Sequence, residues 1–500
     1  MTQFKKINEE KMAHYVDALD AVEDLIVQLS DSDICAGTLG DAEALIKKGG
    51  TEIMRKLTEG YLNQSSAREE KLKKLESADG ETRTHRRPDC RRQIETIFGE
   101  VEFNRIGYRG LDIGVLYPLD AELNLPADKY SHGLRSEIAH LVADQSFDAA
   151  LETLKRHGGG ILPKRQLQDV ASVLIQDFES YYSRPLELFD PGKHILVITA
   201  DGKGISVHNQ DLREATRKAA EANKKKKKKR LQPGEKKCRK RMATVVSVYE
   251  IAPYIRTPEQ ILGEKEEKPP PRPKPENKRV WADVTEDMGA LIEQGFEEAL
   301  RRDPDQKMHW VALIDGQPEL IRQIEKKAEL YGVDVAITQD FIHVAEYLWK
   351  ASHALYPKSA DRREEWVYGR SMEILRGNAQ NVASGLRRAA TLYKLNKEQR
   401  IQVDTASDYI ENSKSRLRYD KSLKHGFPIA TGVIEGACRY LVKDRMDITG
   451  ARWRLKSAEA VLKLRSLKAS GDLDDYLQFH FKQEEERNYP WVVNNEKQVA

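Results

Sequence analysis

Cysteines and long apolar runs are what this sequence has least of. Its four cysteines lie far apart in the 500 residues, so neither a disulfide framework nor a CxxC zinc pattern is present. No apolar run approaches the roughly 20 residues that a membrane-spanning helix needs. The first residues, "MTQFKKINEEKMAHYVDAL", have no apolar core and do not read as a secretory signal. We therefore expect a cytoplasmic protein without a membrane segment.

The charge is nearly balanced overall but is concentrated locally. The formal net charge is +3, from 83 Lys and Arg against 80 Asp and Glu. The segment 224–241, "KKKKKKRLQPGEKKCRKR", carries twelve basic residues and one glutamate, a net of +11, which leaves −8 for the rest of the chain. Such a block is a solvated loop or a contact for a polyanion. The two interpretations are compatible, because neutralising phosphates releases counterions.

The first 185 residues read as helices interrupted by one β-hairpin. Apolar spacing predicts helices up to about residue 77, and alternation over Arg91–Gly110 predicts a hairpin that turns at Phe98–Glu100. Ser146–Tyr182 then reads as two helices around a glycine turn. Ser146 suits the cap of the first helix and Pro163 the opening of the second.

The second of these helices has an apolar face and a basic first turn. Its predicted face consists of Leu167, Val170, Leu174, Phe178 and Tyr181. Lys164 and Arg165 lie at its beginning, where the helix dipole disfavours cations. A helix-turn-helix that contacts DNA would tolerate that penalty. An ordinary helical hairpin fits the same pattern, and both interpretations stay open.

From residue 194 onward the pattern is α/β. "HILVITADGKGI" predicts a buried strand with Asp201 at its carboxyl end, and "HWVALIDGQPEL" repeats the design with Asp315 and a helix starting at Pro318. "MATVVSVYEI" and "DVAITQD" predict two more strands, and "EEKPPPRPKPENK" an exposed, extended loop. The following residues, to about Leu423, read as an inserted helical subdomain. "ERNYPWVVNNEKQVA" reads as an unstructured tail.

Three acidic residues in this region predict a metal site. Asp201 and Asp315 end strands of an open sheet, where ligands bind, and Glu435 begins the later helix "GVIEGACRYLVKDRMD". If their strands are neighbours, the three carboxylates converge and need a cation to neutralise them. Mg²⁺ suits oxygen ligands, and two such ions can stabilise both oxygens of a phosphoryl displacement. Turn chemistry alone also explains each Asp-Gly pair.

Basic residues follow Glu435 and suggest a nucleic-acid substrate. They are Arg439, Lys443, Arg445 and Arg452. On this interpretation Glu435 holds metal while Arg439 and Lys443, one and two helical turns on, contact the DNA backbone. The simpler alternative is a surface helix with an ion pair from Glu435 to Arg439.

Several motifs resemble those of DDE transposases of bacterial insertion sequences, and within them the Kra type. The matching stretches lie between Arg91 and Leu467, and the last of them is the most specific. They are "ITADGKGI", "DLREATRKAAE", "PGEKKCRKRMATVVSVYEIAP", "ALIDGQPEL", "DFIHVAEYLWKA" and "GVIEGACRYLVKDRMDITGARW". The resemblance implies a ribonuclease-H-like core whose acid triad is Asp201, Asp315 and Glu435, holding two Mg²⁺ or Mn²⁺ ions.

The resemblance implies further roles. "DFIHV" is similar to an Asp-x-x-His motif of related transposases, which gives Asp340 and His343 auxiliary roles; a packed helical histidine is the alternative. Lys203 would contact phosphate or be a solvated turn lysine. Only Cys90 remains of the paired cysteines that many relatives carry around the hairpin, which makes that segment a degenerate zinc-binding unit.

Together these patterns predict an α+β multidomain protein. A helical and β-hairpin DNA-binding region would precede a ribonuclease-H-like α/β core with a helical insertion. The predicted parts are 1–80 (helical), 81–120 (hairpin), 121–185 (helix-turn-helix-like), 186–345 (core, first part), 346–425 (helical insertion), 426–470 (core, final helices) and 471–500 (tail).

The expected activity is metal-dependent cleavage and strand transfer at the ends of an insertion sequence. The expected partners are double-stranded DNA (inverted repeats and target DNA) and further copies of the chain, in a cytoplasmic, nucleoid-associated protein. Two alternatives stay open: a transposase-derived DNA-binding regulator without catalysis, and a ribonuclease-H-fold nuclease that cuts without joining.

Overall fold

The chain forms two compact units with α+β structure. The computed structural model describes residues 12–31, 37–77, 80–158, 162–185, 194–224, 239–263, 271–448 and 450–490. The N-terminal unit consists of Met1–Ser183 together with Asp472–Ala500, and the sheet unit consists of Arg184–Gly471.

The N-terminal unit begins with two helices, as the apolar spacing predicts. They are α1 (Val16–Leu29) and the long α2 (Leu39–Arg68). Thr38 starts α2 with a capping box, in which its side chain accepts from the Asp41 N–H and the Asp41 side chain accepts from the Thr38 N–H. Two short strands, β1 (Leu75–Glu76) and β2 (Thr82–Arg83), pair after α2.

A β-hairpin follows and confirms the prediction for this segment. Its antiparallel strands are β3 (His85–Thr96) and β4 (Gly99–Arg109), and Thr96 pairs with Gly99 across the turn. The hairpin begins six residues before the predicted start at Arg91 because β3 continues through a bulge between Arg87 and Cys90.

The remaining helices of this unit are short, and one differs from the prediction. They are α3 (Pro118–Glu122), α4 (His132–Asp144), α5 (Phe147–Arg156), α6 (Lys164–Val173) and α7 (Phe178–Tyr182). Ser146 caps α5 as predicted, accepting from the Ala149 N–H at 3.1 Å. The predicted single helix after Pro163 is divided into α6 and α7 by a turn, although its five apolar residues are all buried.

Most of the described part of the predicted tail 471–500 is helical, contrary to the prediction, and residues 491–500 lie outside the described residues. A helix of sixteen residues, Leu473–Asn488, belongs to the N-terminal unit. It is held there because Tyr476 donates to the Leu174 carbonyl and Arg487 forms an ion pair with Asp177. The Tyr489 hydroxyl likewise donates to the Leu125 carbonyl at 2.6 Å.

The sheet unit is built on a mixed five-stranded sheet. Its strands are β5 (Ile195–Ser206), β6 (Lys240–Ile251), β7 (Glu276–Asp283), β8 (His309–Ile314) and β9 (Val335–Gln339). Their order is β7-β6-β5-β8-β9. The β5–β6 and β6–β7 pairs are antiparallel, whereas β5–β8 and β8–β9 are parallel.

Two features of this sheet differ from the sequence-based prediction. β5 does not end at Asp201 but continues to Ser206, because its antiparallel pairing with β6 extends to Lys240. The predicted extended loop ends at Lys278, and no strand was predicted for the residues after it, where most of β7 lies. The apolar run Val280–Ala282 of β7 is buried and gives the sheet a fifth strand.

Helices connect the strands of the sheet. Five further helices occupy the segment after β9 where the helical insertion was predicted. The connecting helices are α8 (Glu214–Lys224), α9 (Pro258–Ile261), α10 (Met288–Arg302) and α11 (Pro318–Tyr331). The insertion consists of α12 (Phe341–Leu355), α13 (Ala360–Leu375), α14 (Ala379–Leu392), α15 (Lys397–Ser413) and α16 (Tyr419–Lys424). Its helices share one apolar core, which includes Leu348, Leu375 and Ile410.

The last helices lie after the break at Gly426–Pro428. They are α17 (Gly432–Ala437), a π-helical turn (Cys438–Lys443), α18 (Asp444–Met446) and α19 (Leu455–Ser470). Ile195 and Val197 of β5 pack in one cluster with Val311, Leu313 and Val433. Because side chains alternate along a strand, this is also the face to which Asp201 belongs.

No helix of the described residues is both long enough and apolar enough to cross a bilayer.

Candidate active site

Three aspartates form a row across three adjacent parallel strands. Thr199 pairs with Leu313, and Leu313 pairs with Thr338. Two residues further along each chain stand Asp201, Asp315 and Asp340. Neighbouring strands lie about 4.8 Å apart, so this register brings the three positions to one edge of the sheet. We call this set the aspartate row.

Asp201 and Asp315 each have one carboxylate oxygen engaged by backbone. Asp201 Oδ1 accepts from the Gly202 N–H at 2.6 Å, and Asp315 Oδ1 accepts from the Gln317 N–H at 2.9 Å. The second bond closes an Asx turn in which Gly316 has a φ of 96°, a conformation that favours glycine. Both aspartates are half-buried.

Asp340 has a different environment from the other two. It is fully buried, and Oδ1 accepts from the Ile342 N–H at 3.0 Å. Oδ2 accepts from the Thr431 hydroxyl at 2.6 Å and lies 2.8 Å from His343 Nδ1. Because a carboxylate only accepts, Nδ1 of His343 carries the proton and Nε2 is left for another partner. Asp340 therefore positions His343.

Glu435 lies beside this pair, on the first turn of α17. Its Oε1 is 3.2 Å from the Thr431 hydroxyl. One ligand atom from each of Asp340, His343 and Glu435 lies within 4.8 Å of the others, the only such group of three or more acidic, histidine or cysteine residues in the described ranges. The predicted trio of Asp201, Asp315 and Glu435 does not meet this criterion, and Glu435 groups with the predicted auxiliary residues instead.

The charges around His343 favour its protonated form. Burial opposes protonation, but the hydrogen bond and charge of Asp340, with the charges of Glu346 and Asp315, outweigh it and raise the pKa of His343. The protonated ring is thereby stabilised relative to a free histidine, next to the aspartate row.

Cys438, the first residue of the π-helical turn, lies close to Asp201. Its thiol is buried, and this burial together with the charge of the nearby Asp201 and Asp315 raises the pKa of the thiol well above its usual range. Lys203 lies close enough to oppose that shift. Asp201, Asp315 and Lys203 therefore lie near the π-helical turn that directly follows the helix with Glu435.

The predicted DNA-binding residues of this region have different environments. Arg439 is 75% exposed and forms an ion pair with Asp444 at 3.6 Å rather than with Glu435, because residues five apart come together in a π-helical turn. Lys443 and Arg452 are exposed, and Lys203 is half-buried.

Arg445 corrects the prediction that it contacts DNA. Its side chain is buried, and the guanidinium lies 4.9 Å from the ring centroid of Trp453. Burial and the neighbouring Arg465 lower the pKa of Arg445 to about 10. This arginine packs inside the sheet unit and does not present its charge at the surface.

The predicted basic residues of the N-terminal unit are on its surface. Lys164 and Arg165 are both exposed in the first turn of α6. Lys164 forms an ion pair with Asp148 of α5 at 2.7 Å, so its charge is partly balanced within the helix pair. Most of the predicted polyanion contact, residues 225–238 of the lysine-rich segment, lies outside the described residues.

A cavity of about 690 Å³ adjoins the aspartate row. Asp315 and His343 line it on one side and Tyr347 and Tyr409 on another. The two tyrosine rings stack with centroids 3.9 Å apart, and the Tyr409 hydroxyl donates to the Asp315 carbonyl at 3.0 Å. A cavity therefore lies directly beside Asp315 and His343 at this edge of the sheet.

Comparison with known proteins assigns no family to this arrangement. A scan against models of protein families finds no match. A search of curated proteins likewise finds no significant relative.

Proposed function

We propose that this chain is a DDE-type transposase that cleaves and joins DNA at a ribonuclease-H-like site. The observation that carries the proposal is the aspartate row, with Glu435 supplied by a helix that packs on the same face of the sheet. Three antiparallel strands extended by two parallel ones, in the order 3-2-1-4-5 along the chain, support a ribonuclease-H-like core. The helical insertion between β9 and α17 is consistent with the same assignment.

The donor set fits a hard divalent cation. Within the described ranges, Asp201, Asp315 and Glu435 form no ion pair with lysine or arginine, and the nearby His343 can offset only part of their negative charge. Mg²⁺ or Mn²⁺ takes oxygen ligands of this kind. Asp201, Asp315 and Glu435 would hold the ions. When bound, they would supply charge stabilisation to a phosphodiester under attack.

The chain's own residues would bind and orient the DNA. Arg439 and Lys443 are exposed on the helix after Glu435 and would contact backbone phosphates next to the site. His343, held by Asp340 through Nδ1, would offer Nε2 to a phosphate oxygen. Hydrolysis of the phosphodiester at the end of the insertion sequence would release a 3′-hydroxyl. That hydroxyl would then attack target DNA directly, without a covalent bond between protein and DNA.

The test is cleavage and joining of DNA by the full chain. A labelled duplex from the DNA that flanks the reading frame is incubated with Mg²⁺ and a target plasmid. We expect Asp201→Asn, Asp315→Asn and Glu435→Gln each to reduce cleavage by about 10³-fold, equivalent to the several kcal/mol that metal ions contribute. Asp361→Asn, an exposed acid on α13, is the control and should retain activity.

The products separate the alternatives. Joined strands together with cleavage support a transposase, whereas nicked DNA without joined strands indicates a nuclease. DNA binding without cleavage by the wild type, or full activity of Asp201→Asn, would contradict the proposal.

A further inference from the structure

A second cleft lies at the opposite end of the parallel strands. It has a volume of about 590 Å³ and is lined by residues from the start of β8, from β9 and from α16. His309 begins β8, and Asp315 follows its end at Ile314. Five steps of about 3.3 Å separate the first and last residues of this strand, so His309 lies about 16 Å along β8 from its end. The cleft extends toward the aspartate row through Thr338 and Arg416, and Arg416 also lines the cavity beside Asp315, but none of the three aspartates lines the cleft.

The cleft is basic. Its lining includes Lys307, Arg416, Arg418 and Lys421 but only one acid, Asp334. Lys421 is exposed and has no carboxylate within 4 Å among the described residues. A ligand that enters this cleft therefore meets a net positive charge, which favours an anion.

Two of these basic side chains form ion pairs with acidic residues that do not line the cleft. Lys307 contacts Asp305 at 2.6 Å, and Arg418 contacts Asp420 at 3.0 Å. All four side chains are at least a quarter exposed, and exposed ion pairs contribute only about 0–1 kcal/mol. A phosphate can therefore compete for these cations at little cost.

Three ring side chains, His309, His425 and Phe427, also line the cleft. The rings of His425 and Phe427 are stacked with centroids 5.3 Å apart, and His309 lies 5.7 Å from Phe427. Nδ1 of His425 is 2.9 Å from the Lys421 carbonyl, so this nitrogen donates and Nε2 is turned away from the backbone. Rings beside cations are suited to a nucleic acid, whose phosphates alternate with flat bases.

We propose that this cleft binds the phosphodiester backbone of DNA at a place separate from the aspartate row. The inference rests on the proposed function for the identity of the polyanion, because a chain that joins two DNA segments needs more than one backbone contact. The geometry of the cleft itself does not depend on that function.

The experiment measures binding of a labelled DNA duplex by the full chain across a salt range. Each phosphate contact contributes about 0.9 to the slope of log affinity against log salt concentration. Lys421→Gln should reduce the slope by about 0.9, and Lys421→Gln with Arg418→Gln by about 1.8. Lys424→Gln, on the same helix but outside the cleft lining, is the matched control and should leave the slope unchanged.

The outcomes distinguish this inference from the proposed function, because cleavage is scored in the same samples. If the wild type cleaves DNA but Lys421→Gln leaves the salt slope unchanged, the cleft does not bind DNA and the proposed function stands. If Lys421→Gln reduces the salt slope but the wild type never cleaves DNA, the cleft binds DNA and the proposed function is wrong. If inorganic phosphate stabilises the wild type but not Lys421→Gln, while the DNA slopes are equal, the cleft binds free phosphate and the DNA assignment is wrong.

Discussion

The hydroxyl of Thr431 donates to the buried carboxylate of Asp340 at 2.6 Å. This bond joins the residue after β9 to the residue that precedes α17, across 91 positions of sequence. The Asp340 backbone N–H in turn donates to the Ile314 carbonyl at 2.7 Å, next to Asp315. Thr431 therefore fixes the start of the helix that carries Glu435 relative to the aspartate row.

Replacement of Thr431 by valine should destabilise the sheet unit. Valine keeps the shape but leaves a buried Asp340 oxygen with one fewer donor, which costs about 1–3 kcal/mol. Urea unfolding followed by tryptophan fluorescence measures this, since five of the six tryptophans lie in the sheet unit. Thr431→Ser retains the hydroxyl and is the control. Equal stability of the serine and valine variants would show that the bond contributes nothing.

His343 should make stability depend on pH around neutrality. Its pKa is raised in the folded state, so the folded protein binds the proton more tightly than the unfolded chain does. This contribution is complete below the ordinary value of 6.5 and is lost as the pH rises through the folded pKa. His343→Gln should flatten the pH dependence of the free energy of unfolding in that range. An NMR titration of the imidazole that gives a pKa below 6.5 would contradict the direction.

The strand pattern of the sequence predicted which edge of the sheet is acidic. It did not predict which acidic residues group together there. "ITAD", "ALID" and "ITQD" all place an aspartate after apolar residues, and all three aspartates lie in one row. The third was assigned only an auxiliary role, although the same signal was present. The register that aligns the three depends on the order of the strands, which local spacing does not determine.

Other features had little or no local signal. Thr431 stands among small residues, and its role depends on a partner far away in sequence. The hydrophobic run of β7 is only three residues long and follows the proline-rich loop prediction that ends at Lys278, so no strand was predicted there. The π-helical turn likewise had no local signal, and in it Arg439 pairs with Asp444, five residues on, where regular helical spacing predicted a pair with Glu435.

Lys443 and Arg445 should respond differently to replacement. Lys443 is exposed beside the proposed site, so Lys443→Gln should lower the salt slope of DNA binding by about 0.9 without changing stability. Arg445 packs against Trp453, so Arg445→Gln should lower the free energy of unfolding and leave the slope intact. Binding across a salt series and urea unfolding measure both variants. A reduced slope for Arg445→Gln at unchanged stability would restore Arg445 as a DNA contact.

A buried pair of carboxyl groups lies at the end of β7. Asp283 keeps its charge because it accepts from the Thr285 N–H and hydroxyl and from the Glu286 N–H. Burial, and then the adjacent Asp283 carboxylate, raise the pKa of Glu459 to about 9. At this pKa Glu459 holds its proton at neutral pH, beside the Asp283 carboxylate; the Lys463 ammonium, 3.7 Å from Glu459 Oε1, opposes the shift but does not cancel it.

The folded protein should consequently lose stability as the solution becomes alkaline. Between the ordinary value of 4.5 and about 9, the folded state holds the Glu459 proton while the unfolded state has released it. Stability then falls with rising pH, by up to about 1.4 kcal/mol per pH unit. Glu459→Gln keeps a donor to Asp283 but does not titrate, so urea unfolding of this variant should show a flatter profile and greater stability than wild type near the alkaline limit. Glu329→Gln, an exposed glutamate on α11, controls for the change in net charge. Parallel profiles for the wild type and Glu459→Gln would mean that Glu459 is ionised in the folded protein.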